Sequence, residues 1–201
     1  MALAARHRET LAAAGSEIRE LGGTALIVPT DVAVADSVET MVSQTVRELG
    51  PIDLLVNNAG VVSRGAVIDT DEGTWDEVLD INLKGAFLCT KAVLPDMMRR
   101  AHGRIVNVSS ISGKLGTPNL AAYCASKWGL IGLTKATAEE VRNHGVQVFA
   151  VCPGSVNTEM LQKGLPGAKP AMEPRDVSDV IVYLATRAPA AMTGAAVDVF
   201  G

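Results

Sequence analysis

Tyr123 and Lys127 stand four residues apart in Ala-Tyr-Cys-Ala-Ser-Lys, and Ser110 lies thirteen residues before Tyr123 in Val-Asn-Val-Ser-Ser. Four residues is slightly more than one helical turn, so on a helix the phenol and the ammonium project from one face. A nearby ammonium favours the phenolate and lowers the phenol's pKa from its reference of about 10. A tyrosine tuned toward neutrality can act as general acid or base. A serine hydroxyl from a neighbouring strand end can then hydrogen-bond an oxygen whose charge changes. Taken alone, the spacing fits an ordinary surface Tyr/Lys pair better; the rest of the chain overturns that reading.

Composition narrows the choice. At 201 residues the chain is long enough to bury a substantial core, and no linker, repeat or low-complexity tract divides it, so residues 1–201 read as a single domain. Eighteen basic against 22 acidic residues give a net charge of −4, and aromatic residues make up 3%. Neither a basic face nor a row of stacking rings is available for nucleic acid. Cys89, Cys124 and Cys152 are far apart, odd in number and without a Cys-x-x-Cys, which fits reduced cytoplasmic thiols better than a disulfide framework. His7, His102 and His144 lack second ligands at metal-binding spacing, so no metal site is expected. The first residues do not form a signal peptide, and no run approaches the roughly 18 apolar residues that span a bilayer.

The elements that would position Ser110, Tyr123 and Lys127 follow from the apolar pattern. Near-continuous β-branched runs at 25–28, 54–56, 104–108, 146–151 and 196–199 read as parallel strands covered on both faces, with residues 2–5 a further strand. Helical patterns lie between them, near 8–21, 36–49, 73–100, 121–143 and 176–187. Asp36 with Glu39 reads as a capping box, Gly145 as a helix C-terminal glycine, and Pro174 precedes the last helix. Alternating strands and helices predict an α/β, doubly wound parallel sheet. The irregular stretch 158–174 is where a substrate lid would sit, at the carboxyl edge of a strand.

In order along the chain come Asp31-Val32 at a strand end, Asn57-Asn58-Ala59-Gly60 at the next, and Asn82 in a long helix. Ser110 follows after a third strand, then Tyr123-x-x-x-Lys127 on a helix, and Pro153-Gly154 at a fourth strand end. This succession resembles the short-chain dehydrogenase/reductase family, and the resemblance runs the length of the chain. It implies a Rossmann-like fold and a hydride transfer between a nicotinamide cofactor and a ketone or secondary alcohol. Length and loop pattern are most similar to reductases of 3-oxoacyl thioesters. On that resemblance Tyr123 is the proton donor, Lys127 lowers its pKa and holds the nicotinamide ribose, and Ser110 steadies the carbonyl oxygen. Ser109 is the competing candidate one residue back. Asn82 matches an asparagine that supports a water chain to the lysine. The implied cofactor contacts are Asp31 and Val32 at the adenine, then Asn58, Ala59 and Gly60, Tyr123 and Lys127, and the segment Pro153, Gly154, Val156 and Thr158. Asn57 is expected to be structural, locking neighbouring strands. The family also implies a homodimer or homotetramer through the two long helices and the last strand, although the ending Asp198-Val-Phe-Gly201 departs from the usual Asp-Gly-Gly.

One family feature has no match. A strand, a Thr-Gly-x-x-x-Gly-x-Gly turn and a helix normally precede the strand that residues 2–5 resemble, and this sequence contains no such motif. The expected fold is therefore N-terminally truncated, lacking the first strand and helix. Closure of the sheet, bringing residues 2–5 beside 54–56, is expected because open strand edges leave backbone groups unpaired. Arg6 directly follows the first strand, and no acid stands at residues 1–8. By the family's logic this favours NADP(H), with its 2′-phosphate, over NAD(H) as the alternative. A scaffold that keeps the site without binding dinucleotide is the rival to an enzyme.

Overall fold

Strands and helices alternate through the computed structural model, which describes residues 1–201. The order is β1 (Ala2–Ala5), α1 (Arg8–Glu20), β2 (Leu26–Pro29), α2 (Ala35–Leu49), β3 (Leu54–Asn57), α3 (Glu72–Leu79), α4 (Gly85–Arg100), β4 (Gly103–Val108), α5 (Ala121–Glu140), β5 (Val146–Pro153), α6 (Glu159–Gly164), α7 (Pro174–Thr186) and β6 (Ala196–Val199). The strands β3-β4-β5-β6 form one parallel sheet in that order, with Asn57 opposite Asn107 and Val108 opposite Val151. Alternation along β5 assigns its faces. Val146 and Val148 pack with Val93, Met97, Ala138 and Val141 of the α4–α5 layer, while Phe149 and Val151 pack with Val177 and Leu184 of α7. Both faces are covered, which explains why the strand sequences read as near-continuous apolar runs. The architecture is the Rossmann-like parallel α/β fold expected. No helix is long and apolar enough to cross a membrane.

The sheet does not close as expected. β1 pairs only with β2, in register Ala2 to Leu26, and no ladder joins β1 to β3. The helix layer supplies the reason. Val38 and Met41 of α2 pack with Val28 of β2 and Cys89 of α4, with Leu55 of β3 against the same cluster. This shared apolar cluster holds β1–β2 against β3 through side chains of the helix layer, so the two sheets meet without a ladder. Leu54 and Val56 are left 41% and 36% exposed on β3.

Three local expectations also shift. The segment expected to be one helix over 73–100 is α3 and α4 joined by a π-helical turn, Asp80–Lys84, with Asn82 buried inside it. Asp36 is not a cap: α2 begins one residue earlier, with Val34 as N-cap and no side-chain cap bond. Asp31 accepts from the Ala33 N–H and Ser37 accepts from the Asp31 N–H, and this turn starts the helix instead. Gly145 lies beyond the end of α5 at φ +68°, where a Cβ would stand 2.3 Å from the Ala101 carbonyl oxygen. It admits the chain into β5.

Candidate active site

Parallel strands end on the same side, so the carboxyl ends of β3, β4 and β5 open onto one cleft. Its volume is about 1120 Å³. Asn58, Ala59 and Gly60 line it from the end of β3, and Ser110 from the end of β4. Tyr123 and Lys127 reach it from α5, and Pro153, Gly154, Val156 and Thr158 from the end of β5. The lid stretch contains α6, whose N-cap Thr158 accepts from the Leu161 N–H at 3.3 Å. An isolated bridge between Val156 and Met172 ties the two ends of the lid together.

Lys127 is buried, 4% exposed, and its ammonium donates to the Val108 carbonyl oxygen at 2.8 Å. No carboxylate is recorded against it, so burial pushes its pKa down to about 8. The ammonium has three donors, and with one on Val108 it can serve further acceptors in the cleft. It also stands 5.6 Å from the centre of the Tyr123 ring. The pKa of Tyr123 runs opposite to the sequence expectation: burial raises it, with the Ser110 hydroxyl opposing and Cys124 adding to the rise. Desolvation of the phenolate is the largest influence, and it outweighs the Ser110 hydrogen bond. At neutral pH Tyr123 therefore holds its proton, the state a proton donor needs. Ser110 is the N-cap of a short 3₁₀ turn, Ile111–Gly113, and accepts from the Ser112 N–H at 3.1 Å.

Asn82 does not hydrogen-bond toward Lys127. Its amide oxygen accepts from the Val61 N–H at 2.7 Å, and its amide nitrogen donates to the Val61 carbonyl at 2.9 Å and to Ser126 at 3.0 Å. It clasps the loop after β3 to the helix that carries Tyr123 and Lys127. The π turn aims it there, a use to which such one-turn insertions are often put. Asn57 donates to Asn107 at 2.8 Å and to Thr90 at 3.2 Å, and Asn107 donates to Thr134 at 2.9 Å. That buried network joins β3, β4, α4 and α5 beneath the cleft.

Arg6, Asp31 and Val32 are not among the residues that line the cleft. Arg6 is exposed past the end of β1. The Asp31 carboxylate serves its own turn through Ala33. The Val32 side chain packs on α4, 2.7 Å from where a Cβ of Gly85 would be. Residues not singled out from sequence also reach the site. Arg64 donates to the Gly164 carbonyl at 3.0 Å and latches the end of α6, while Arg175 and Ser178 of α7 border the cleft. Ser109, the competing candidate, turns under α5 and donates to the Lys127 carbonyl; Arg64 carried no signal in the sequence.

The residues present fit one half of a dinucleotide. A Cβ on Gly60 would stand 3.6 Å from the Lys127 ammonium, filling the space where ribose hydroxyls would meet it. The other half would need a phosphate cradle, and the sequence has no glycine-rich turn to supply one.

A family profile described as short chain dehydrogenase matches residues 1–168. A 3-oxoacyl-(acyl-carrier-protein) reductase of Synechocystis is 39% identical over 196 residues, covering 92% of this chain and 78% of the relative. A trans-4-hydroxycyclohexanecarboxylate dehydrogenase of Sinomonas cyclohexanicum is 42% identical over 177 residues, 85% of this chain and 68% of the relative. Among solved structures, actinorhodin polyketide ketoreductase with NADPH superposes with a TM-score of 0.93 at 34% identity, covering 100% of this chain and 85% of the other.

Proposed function

The chain belongs to the short-chain dehydrogenase family, oxidoreductases acting on CH–OH groups, and on that premise we propose that it reduces the ketone of a 3-oxoacyl thioester at the expense of NADPH. The observation that carries this reading is the convergence of a protonated Tyr123, Ser110 and the buried Lys127 ammonium on one cleft. A bound reduced nicotinamide would supply hydride to the carbonyl carbon. Tyr123 and Ser110 hydrogen-bond the carbonyl oxygen, and Tyr123 transfers its proton to that oxygen as the C=O π bond is lost. Lys127 holds the ribose hydroxyls with the donors that Val108 leaves free, and its positive charge favours the phenolate that forms. Asn58, Ala59, Gly60, Pro153, Gly154, Val156 and Thr158 form the wall on which the nicotinamide rests. A raised phenol pKa favours reduction over alcohol oxidation, since oxidation must start from the phenolate.

Several observations support the finer terms. Val62, Ile111, Leu120, Met160, Leu161 and Leu165 give the lid side of the cleft an apolar lining suited to an acyl chain. The only cations lining the cleft are Lys127 and Arg175, which favours a neutral ketone over a substrate with a carboxylate next to it. NADPH is preferred to NADH because Arg6 and Arg8 stand exposed past β1 and no acid accompanies them before residue 9. The ketoreductase relative was crystallised with NADPH. Phe87 of α4 and Trp128 of α5 are 45% and 54% exposed, an apolar surface suited to a homodimer or homotetramer. Buried Cys89 and Cys152 with no disulfide suit the cytoplasm.

The test is a titration with NADPH and NADH followed by melting temperature, then NADPH oxidation with a 3-oxoacyl thioester. Cofactor at about 100 times its Kd adds roughly 2.7 kcal/mol of stability, a readily measured shift. A larger shift with NADPH and formation of the 3-hydroxy product support the reading. No shift with either at millimolar concentration favours a scaffold that holds no dinucleotide.

A further inference from the structure

Lys127 and the end of β4 are tied in both directions. The Lys127 ammonium donates to the carbonyl of Val108, and the Ser109 hydroxyl donates at 3.0 Å to the main-chain carbonyl of Lys127. Ser109 and Lys127 are each only 4% exposed. The Ser109 N–H is itself fixed on the Val151 carbonyl at 2.7 Å, continuing the β4–β5 ladder past Val108. The turn after Ser110 closes over this bond: a Cβ on Gly113 would lie 2.7 Å from the Lys127 carbonyl oxygen and 2.8 Å from the Ser109 hydroxyl. A carbonyl in the middle of a 20-residue helix already has a helical donor, so a second donor adds little to helix formation. What it fixes is the place of that turn relative to the strand.

We propose that Ser109 is a positioning residue for Lys127: its bond to the lysine's carbonyl sets the height of that turn of α5 over the end of β4. The reach of the ammonium into the cleft follows from it, as does the place of the Tyr123 phenol one turn earlier relative to the neighbouring Ser110. The inference rests on the reductase reading for the role of Lys127, and its test does not depend on activity. The groups facing the Lys127 ammonium are Tyr123 on α5, Cys152 on β5 and, beyond Cys152, the Lys114–Asp198 pair. Ser109 also hydrogen-bonds the Cys152 thiol, so Cys152→Ala is titrated beside the Ser109 variants: if Cys152→Ala alone reproduces the Ser109→Ala shift, the effect runs through the thiol and the proposal fails.

Ser109→Ala and Ser109→Thr are made in protein labelled with ¹³C-lysine, and the Cε resonance of each lysine is followed against pH. In the parent, one lysine, missing from Lys127→Met, titrates near 8. Freed from its tether, the turn admits water, and in Ser109→Ala that titration moves up by about one unit or more toward the lysine reference of about 10.4; Ser109→Thr restores it. In steady-state kinetics Ser109→Ala loses roughly 10- to 100-fold in kcat with little change in KM for the ketone, as expected of a small misplacement, and the threonine variant recovers. An unmoved Lys127 titration in folded Ser109→Ala overturns the proposal. If alanine prevents folding, Ser109→Cys, nearly isosteric with a weaker donor, is read by the same titration. A parent without reductase activity but with the titration shift would instead count against the proposed function and leave the positioning role standing.

Discussion

Replacing Lys127 should make the protein more stable. Lys127 is buried with one hydrogen bond and no carboxylate, and its pKa falls to about 8 from the ordinary 10.5. Each pKa unit is about 1.4 kcal/mol, so holding the ammonium in the folded state costs about 3 kcal/mol at pH 7. Methionine fills a similar volume without the charge. It leaves the Val108 carbonyl without that donor, a loss of about 1 kcal/mol. The net gain for Lys127→Met is about 2 kcal/mol, or roughly 4–8 °C in melting temperature for a chain of this size. The sign follows from proton counting. Between pH 8 and 10.5 the unfolded chain binds the proton more tightly than the folded one, so the parent's stability rises with pH across that window. Below 8 the full penalty is present; above 10.5 it is gone. Denaturant unfolding of parent and variant from pH 7 to 11 should therefore show the variant ahead at neutral pH and the gap closing at alkaline pH. A variant equal to or less stable than the parent at pH 7, or a gap that ignores pH, would refute the reasoning. The variant should also lose turnover, which would make Lys127 a residue kept against stability.

Other perturbations test other parts of the site. Asn82→Ala removes two bonds to Val61 and one to Ser126, and should cost roughly 2–4 kcal/mol in denaturant unfolding. Recovery by Asn82→Asp should be incomplete, because a carboxylate cannot donate to the Val61 carbonyl. Arg64→Ala unlatches α6 from the loop after β3; KM for the thioester should rise several-fold with kcat held, alongside faster amide exchange in residues 159–165. Leu54→Lys, on the open edge of β3, should change stability by no more than about 0.5 kcal/mol yet reduce self-association by light scattering, because charge on an exposed edge opposes strand pairing.

Much of the fold was legible because it rests on local pattern. From Val146 to Val151 only Gln147 is polar, the near-continuous apolar run expected of a strand covered on both faces, and β5 is such a strand. The four-residue spacing of Tyr123 and Lys127 placed both on one face of α5, and both reach the cleft. The failures came from terms that spacing does not encode. The pKa of Tyr123 depends on how much water the cleft excludes, and desolvation exceeds the opposing Ser110 hydrogen bond. The gap between β1 and β3 was not legible either, because the cluster of Val28, Val38, Met41 and Cys89 that joins the two sheets through the helix layer is a long-range packing that no local pattern encodes. Asn82 sat in a stretch that read as continuous helix, and the π turn that aims it at Val61 has no signature in residue type. Asp31 takes part in a turn through its hydrogen bond from Ala33, a partner two residues away that its place at a strand end did not reveal.

The most direct test concerns the proton. Parent and Tyr123→Phe are compared for NADPH-dependent conversion of a 3-oxoacyl thioester to its 3-hydroxy product, with cofactor binding measured separately. The phenol is the only proton donor assigned to the carbonyl oxygen, so the variant should bind NADPH as the parent does and lose roughly 10²- to 10⁴-fold in kcat. Equal turnover in the two proteins would contradict the assignment and place the proton donor elsewhere in the cleft.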